Sequence, residues 1–470
     1  MDIDTASLTI SSALEQLHAG EISESSLTNA CRRQIERLNS TLNAFIRIAG
    51  SPDGRISAGS LAVPVAVKDM IDVGGFPTTA GSPKFFGDTP ARDDAVVVQR
   101  LRQVGATIIG KTNTHEIALG VTGANPHFGP VRNPYNPLCI SGGSSSGSAA
   151  AVATGMCLAA LGTDTGGSIR IPSSLCGVVG LKPTRGRIST QGVVPLSWNL
   201  DHVGALTRSV RDSALMLQVM AGFDVKDPAS VNVPVDDYLA HLEKGVNGWR
   251  IAFAIGDYFE NDDPRVMNVV RQAMRLFVDL GAEVSEVDMS FLSDAAHANA
   301  QMTRADAAAF HRERMQAHPD WFGNDVLTRL QTGAACSSSE YALARRTQSE
   351  MIRRMELFFS DYDILLTATT PIIAPLIDST DAVQAARQLT RFTAPFNLTG
   401  LPALSIPCGS IDGLPVGVQL VSRNWSEARL LQAGRAFERA ALLNLRPPCL
   451  VENSLSNTIQ SGITGLDVTK

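Results

Sequence analysis

The stretches LAVPVAV (61–67), DDAVVVQRLRQVGA (93–106) and ATIIG (106–110) decide the fold class. The two short apolar runs, set off by Gly105 and Gly110, read as buried strands, and the segment between them carries the spacing of an amphipathic helix. Strand, helix and strand in that order is the pattern of a layered α/β sheet. The same alternation returns downstream, with strands at 250–254 and 283–287 around a helix at 263–280. Further strands follow at 363–369, 403–407 and 416–422, backed by a helix at 427–440. Upstream, helices are expected at 11–18, closed by Gly20, and at 23–38, opened by a Ser-x-x-Ser cap. A helix at 210–222 and a mostly helical, less apolar region at 290–360, ending in a helix at 340–359, complete the pattern. With no repeat and no low-complexity block, the economical organisation is a single domain over 1–450. Its N-terminal helices occupy 1–60 and a surface tail occupies 451–470.

The composition excludes several functions. The chain has 470 residues and 40 Lys+Arg against 46 Asp+Glu, a net charge of −6, so it lacks the basic face of a nucleic-acid binder. Only 18% of residues are charged and 44% are hydrophobic, which requires a large core. The longest nearly uncharged apolar stretch, Ala149 to Leu161, is too short to cross a bilayer and reads as a buried core helix. MDIDTASLTI has no leader pattern, and seven scattered cysteines without C-x-x-C pairs suit thiols of a cytoplasmic protein, not a disulfide framework or a zinc site. Lysine is scarce: Lys68, Lys84, Lys111, Lys182, Lys226, Lys244 and Lys470 are all there are. Arginine keeps its proton in a protein, so a cationic general base must come from that list.

Three segments carry candidate chemistry. Residues 141–148 read Ser-Gly-Gly-Ser-Ser-Ser-Gly-Ser ahead of an Ala-rich helix. No lysine follows Gly147, which excludes a phosphate-binding P-loop. Gly143-x-Ser145-x-Gly147 has the form of a nucleophile elbow, but the preceding NPYNPLCI holds two prolines and makes a poor central strand; a plain serine-rich turn is the other reading. In GTDTGGS (162–168), consecutive glycines before a serine allow backbone N–H groups to converge on one point, as an oxyanion hole requires, although a Gly-Gly-Ser turn can also be only a turn. Lys68, at the end of LAVPVAV, is a candidate base if burial lowers its pKa; alternatively it snorkels beside Asp69. His115-Glu116 lacks the second histidine of a zinc motif, since Leu119 stands in its place. His127 and His202 read as loop residues.

In order and spacing, Lys68, GGSSSGS (142–148) and GTDTGGS (162–168) resemble the amidase signature family. AVKDMIDVGGFPTTAGSP (66–83), GVTGANPHFGPVRNPYNP (120–137), SSLCGVVGLKPTRGRIS (173–189), NLTGLPALSIPCG (397–409) and GLPVGVQLVSR (413–423) extend the resemblance over nearly the whole chain. It implies a three-layer α/β/α fold around a large mixed sheet, with no metal and no cofactor. It also implies a triad in which Ser168 is the nucleophile, Ser144 the serine preceded by a cis peptide bond, and Lys68 the base. The N–H groups of Thr165, Gly166, Gly167 and Ser168 correspond to the oxyanion hole, and Ser145, Asp164 and Arg170 to residues that brace the loops. Ser146 departs from the family loop, which has glycine there.

The resemblance implies a serine-dependent amidase acting on small organic amides, with carbamates and esters open to the same acyl-enzyme chemistry. The alternative it leaves is the glutaminase-type component of a tRNA-dependent amidotransferase. Lys182-Pro-Thr-Arg-Gly-Arg-Ile-Ser189 and the following Thr190-Gln-Gly-Val-Val-Pro195 are closer to independent amidases. Expected pocket walls are Met70, Ile71, the loop Gly120, Val121, Thr122 and Gly123, and Trp198, together with Met302, Phe310, Trp321 and Phe322 of the helical insertion at 290–360. No run of basic residues marks a carboxylate-bearing substrate. The expected partner is a small-molecule amide, not nucleic acid or membrane, and a homodimer is left open.

Overall fold

The computed structural model describes residues 3–50, 59–259, 263–378, 380–443 and 445–450. Within them, one mixed sheet takes strands from both halves of the chain. In chain order they are β1 (Phe45–Ile48), β2 (Pro64–Lys68), β3 (Thr107–Thr112), β4 (Ala159–Asp164), β5 (Val179–Lys182), β6 (His202–Thr207), β7 (Arg250–Ile255), β8 (Glu283–Asp288), β9 (Ile364–Ala368), β10 (Ala403–Ile411) and β11 (Leu414–Val421). Their spatial order is β1-β3-β2-β4-β6-β5-β10-β11-β9-β7-β8. β2 runs parallel to β3 and β4, and β7 runs parallel to β8 and β9. The junctions between these parallel groups are antiparallel, through β6, β5, β10 and β11. The fold is the three-layer α/β/α arrangement around a mixed sheet.

Burial follows position in the sheet. Every residue of β2 and β4 is buried, as expected for strands covered on both faces. The edge strand β8, Glu-Val-Ser-Glu-Val-Asp, alternates exposed charged or polar residues with half-buried valines, and its charges discourage pairing with another chain. The helix Ser146–Ala153 packs on β2, β3, β4 and β6, while Arg170–Leu175 packs on β5, β10 and β11. Leu292–Phe310, Asn324–Ala334 and Ser338–Asp361 pack mainly on one another.

Three expectations are corrected. The apolar stretch from Ala149 to Leu161 is not one helix: the helix ends at Ala153 and β4 begins at Ala159. Gly155 makes the break, with φ +71° and a Cβ site only 2.5 Å from the Ala6 nitrogen, so a side chain there has neither the conformation nor the room. The segment 1–60 also contributes a strand, β1, after the second helix runs one turn further than expected, to Leu42. His202 opens β6 and is buried, instead of lying in a loop. The expected tail at 451–470 lies outside the described residues. Among those described, no helix is long and apolar enough to cross a membrane.

Candidate active site

Lys68 ends β2 fully buried, with Nζ 2.7 Å from Ser144 Oγ and 2.7 Å from Thr163 Oγ1 on the adjacent β4. Burial pushes its pKa down to about 7, against the charges of Asp164 and Asp201, which favour the ammonium form. The snorkelling alternative is therefore excluded. Asp69 turns elsewhere, accepting from the Thr79 N–H at 3.1 Å and approaching Lys111 Nζ at 3.3 Å. Lys111 and Lys182 are also fully buried, so three of the described lysines lie in the core. Their surroundings differ from that of Lys68. Lys111 donates to the Ile71 carbonyl at 2.7 Å and to Thr78 Oγ1 at 2.9 Å and is paired with Asp69, and Lys182 donates to the Leu401 carbonyl at 2.5 Å. Both hydrogen-bond partners of Lys68 are hydroxyls, which can give a proton back, and among the described residues no carbonyl or carboxylate holds its Nζ.

The serine loop is held by its backbone. The Gly143–Ser144 peptide bond is cis. The Ser144 carbonyl accepts from Thr114 Oγ1 at 2.8 Å, the His115 N–H at 3.2 Å and Ser146 Oγ at 3.3 Å. Ser145 joins this loop to the next: its N–H donates to the Ser168 carbonyl at 3.1 Å, and its hydroxyl donates to the Thr163 carbonyl at 3.2 Å. Ser146 fits because Gly123 lies opposite, where a Cβ would fall 2.8 Å from Ser146 Cβ.

The turn after β4 is organised by one buried ion pair. Asp164 receives Arg170 Nε at 3.0 Å on Oδ2 and a terminal guanidinium nitrogen at 2.9 Å on Oδ1. It also accepts from the N–H groups of Gly167 at 2.8 Å and Ile169 at 3.1 Å, and from Asn397 Nδ2 at 2.8 Å. Burial alone would raise this carboxyl, but the Arg170 charge and these hydrogen bonds hold it below the usual carboxylate range. Arg170 spends its remaining donors on Gln419 Oε1 at 2.7 Å, Asn397 Oδ1 at 2.6 Å and the Thr393 carbonyl at 3.0 Å. One member of the expected oxyanion hole is thereby corrected. The Gly167 N–H is already bound to Asp164, while those of Thr165, Gly166 and Ser168 have no partner among the described residues.

Thr165 donates its hydroxyl to Asp201 at 2.5 Å, and the Leu196 and Ser197 N–H groups cap the other oxygen of Asp201. Burial pushes the Asp201 carboxyl up to about 6. Asn299 and Thr393 hold the outer side of the turn, donating to the Thr165 carbonyl at 3.1 Å and the Gly166 carbonyl at 2.6 Å.

Ser168 opens onto a cavity of about 240 Å³, smaller than the roughly 300–1,000 Å³ of drug-sized sites. Of the expected walls, Gly120 and Val121 line it. Met70 and Ile71 lie in the main core, and Thr122 and Gly123 pack toward His115 and the serine loop. Trp198 is 52% exposed and meets Phe310 edge-on. Met302 and Phe322 are core residues, and Trp321 stacks on His318. The rest of the wall is mixed: Leu119, Leu196 and Val383 supply apolar surface, and Asn299, Thr303, Arg304, Arg329 and Arg387 from the helices supply polar groups. Although the sequence holds no basic run, arginines from three separate helices meet at this cavity.

Asn397 and Gln419 sit in the quoted stretches NLTGLPALSIPCG and GLPVGVQLVSR, so their role as Arg170 acceptors had a signal in the motif resemblance. Thr163 had the same kind of signal, standing in GTDTGGS; Asp201, Asn299 and Thr393 had none, since each acts through a contact distant in the chain. Among the described residues, no group of three or more His, Cys, Asp or Glu is placed to hold a metal.

The family model described as Amidase matches residues 26–431. The chain is 38% identical to the A subunit of the glutamyl-tRNA(Gln) amidotransferase of Geobacter sp. (strain M21), covering 93% of this chain and 98% of that one. It is 39% identical to an amidase of Pseudomonas putida, covering 94% and 98%. Among solved structures, the A subunit of the glutamyl-tRNA(Gln) amidotransferase from Thermotoga maritima superposes with a TM-score of 0.85 at 32% identity, covering 95% of this chain and 99% of that one.

Proposed function

The chain belongs to the amidase family, enzymes that hydrolyse carbon–nitrogen amide bonds, and from that premise we propose a free-standing amidase that opens small organic amides through Ser168, Ser144 and Lys68. The observation that carries this reading is the 2.7 Å contact between the buried Lys68 Nζ and Ser144 Oγ, in a loop hydrogen-bonded to Ser168. Neutral Lys68 takes the Ser144 proton, Ser144 takes the Ser168 proton, and Ser168 Oγ attacks the amide carbon. The developing oxyanion sits on the N–H groups of Thr165, Gly166 and Ser168; in other enzymes the loss of one such donor costs about 3–4 kcal/mol. The C–N bond breaks as the proton returns through the same path to the leaving nitrogen. Water, deprotonated along that path, then cleaves the acyl-Ser168 ester. Carbamates and esters present the same carbonyl to the same groups.

The second reading is the glutaminase-type component of a tRNA-dependent amidotransferase, favoured by the names of the Geobacter and Thermotoga relatives. The segment from Thr190 to Pro195 and the acid-free cavity wall weigh for the free-standing enzyme. Purified chain, alone and without tRNA, is expected to release ammonia or amine from simple amides. Turnover seen only after the other amidotransferase components are added would establish the second reading.

A further inference from the structure

The cavity beside Ser168 has an unbalanced charge. Arg304 on the helix Leu292–Phe310, Arg329 on Asn324–Ala334 and Arg387 on Ala382–Leu389 all line it, and no Asp or Glu does. Arg329 is committed: it donates to the Leu119 carbonyl at 2.8 Å and the Ala382 carbonyl at 2.7 Å, and lies 3.7 Å from Asp325. Arg304 and Arg387 have neither an ion pair nor a side-chain hydrogen bond among the described residues. They are close enough that the Arg387 charge, added to burial, lowers the Arg304 pKa. Arg304 is half-buried and Arg387 is exposed, so two guanidinium groups face one cavity with no counter-ion among the described residues, and their donors are open to an anion. Two further donors point the same way, because Thr303 Oγ1 on the same wall and Arg329 Nε are buried and unpartnered.

We propose that the substrate is a small amide bearing a carboxylate and no ammonium group, its carboxylate held by Arg304 and Arg387 while its amide carbonyl lies at Ser168. A guanidinium pairs with a carboxylate through parallel N–H donors, which fixes orientation as well as adding affinity. The exclusion of an ammonium follows from the wall, which offers a cation no carboxylate partner. Free glutamine carries that ammonium and is disfavoured. This proposal deepens the amidase reading and rests on it.

Three probes of nearly equal size separate the charges: glutaric acid monoamide, pentanamide and glutamine. The expected kcat/KM is highest for glutaric acid monoamide, by roughly tenfold or more over each of the others, the scale of a hydrogen bond to a charged group. In the Arg304→Gln/Arg387→Gln double variant, the ratio of glutaric acid monoamide to pentanamide should fall by a similar factor, mainly through KM. An equal or better rate on pentanamide, or a ratio unchanged in the double variant, overturns the proposal and leaves the amidase reading standing. If no amide is hydrolysed, the amidase reading fails, and calorimetry with glutaric acid monoamide then decides separately. Binding lost in the double variant supports the carboxylate site, and no binding to the unaltered protein overturns it.

Discussion

The two sides of the cavity are built on opposite principles. On the sheet side, each charge has a partner: Asp164 has Arg170, and Arg170 has Asn397, Gln419 and the Thr393 carbonyl. On the helical side, Arg304 and Arg387 share a wall with no acid. A saturated network fixes atoms in place, whereas an unsaturated one invites a ligand. The difference teaches where the chemistry and the selectivity are divided: geometry on the strands, choice of substrate on the helices.

The severest way to break the comparison is to remove a reacting group from the sheet side. Ser168→Ala and Lys68→Met are each expected to lower amide hydrolysis by ~10⁴-fold or more with the fold retained, measured as kcat/KM beside a thermal melt. Removing a brace should act on stability first. Arg170→Met leaves the Asp164 carboxylate buried without its counter-charge, and should cost about 3–5 kcal/mol in a denaturant titration. The corresponding change on the helical side, at Arg304, removes like-charge repulsion and should leave the midpoint unchanged or raised.

Titration sharpens the contrast further. With Lys68 near pKa 7, the working base is the deprotonated form, so kcat/KM should rise with pH through about 7 and then level. The unfolded chain holds that proton up to about 10.4, so the unfolded state binds more protons between about pH 7 and 10.4, and this group makes stability rise with pH across that window. Asp201→Asn removes a negative charge that favours the ammonium and should move the activity limb to lower pH. A limb that stays put or moves up would show that Asp201 does not act on Lys68. The smallest effect is expected at Trp198, exposed and off the cavity: Trp198→Ala should change kcat/KM by no more than about twofold, the scale of a surface substitution.

The sheet side was largely legible in the sequence, and the helical side was not. Lys68, Ser144, Ser145, Asp164, Ser168 and Arg170 stand in short motifs, where local spacing constrains what a backbone can do. β5 and β6 escaped because Gly, Ser and Pro dilute the apolar signal around them, although β5, Val-Gly-Leu-Lys, is buried throughout. The split of Ala149–Leu161 turns on Gly155, whose need for a left-handed conformation periodicity does not register. The cavity wall failed for a different reason. Aromatic residues of the insertion suggested a pocket, but Phe310, Trp321 and Phe322 pack with histidines, with Phe85 and with Trp198, while arginines from separate helices converge. Convergence of that kind depends on how helices cross and leaves no local pattern.

Arg170 also sets a condition on biosynthesis. Its side-chain acceptors span residues 164 to 419, and Gln419 belongs to β11, the last strand in chain order. A ribosome makes the Ser168 turn long before it makes that acceptor. Until β11 emerges and zips onto β9 and β10, the guanidinium has one of its acceptors missing and the turn lacks its full set of ties. A nascent chain released before β11 would keep every residue of the triad and still lack a finished site.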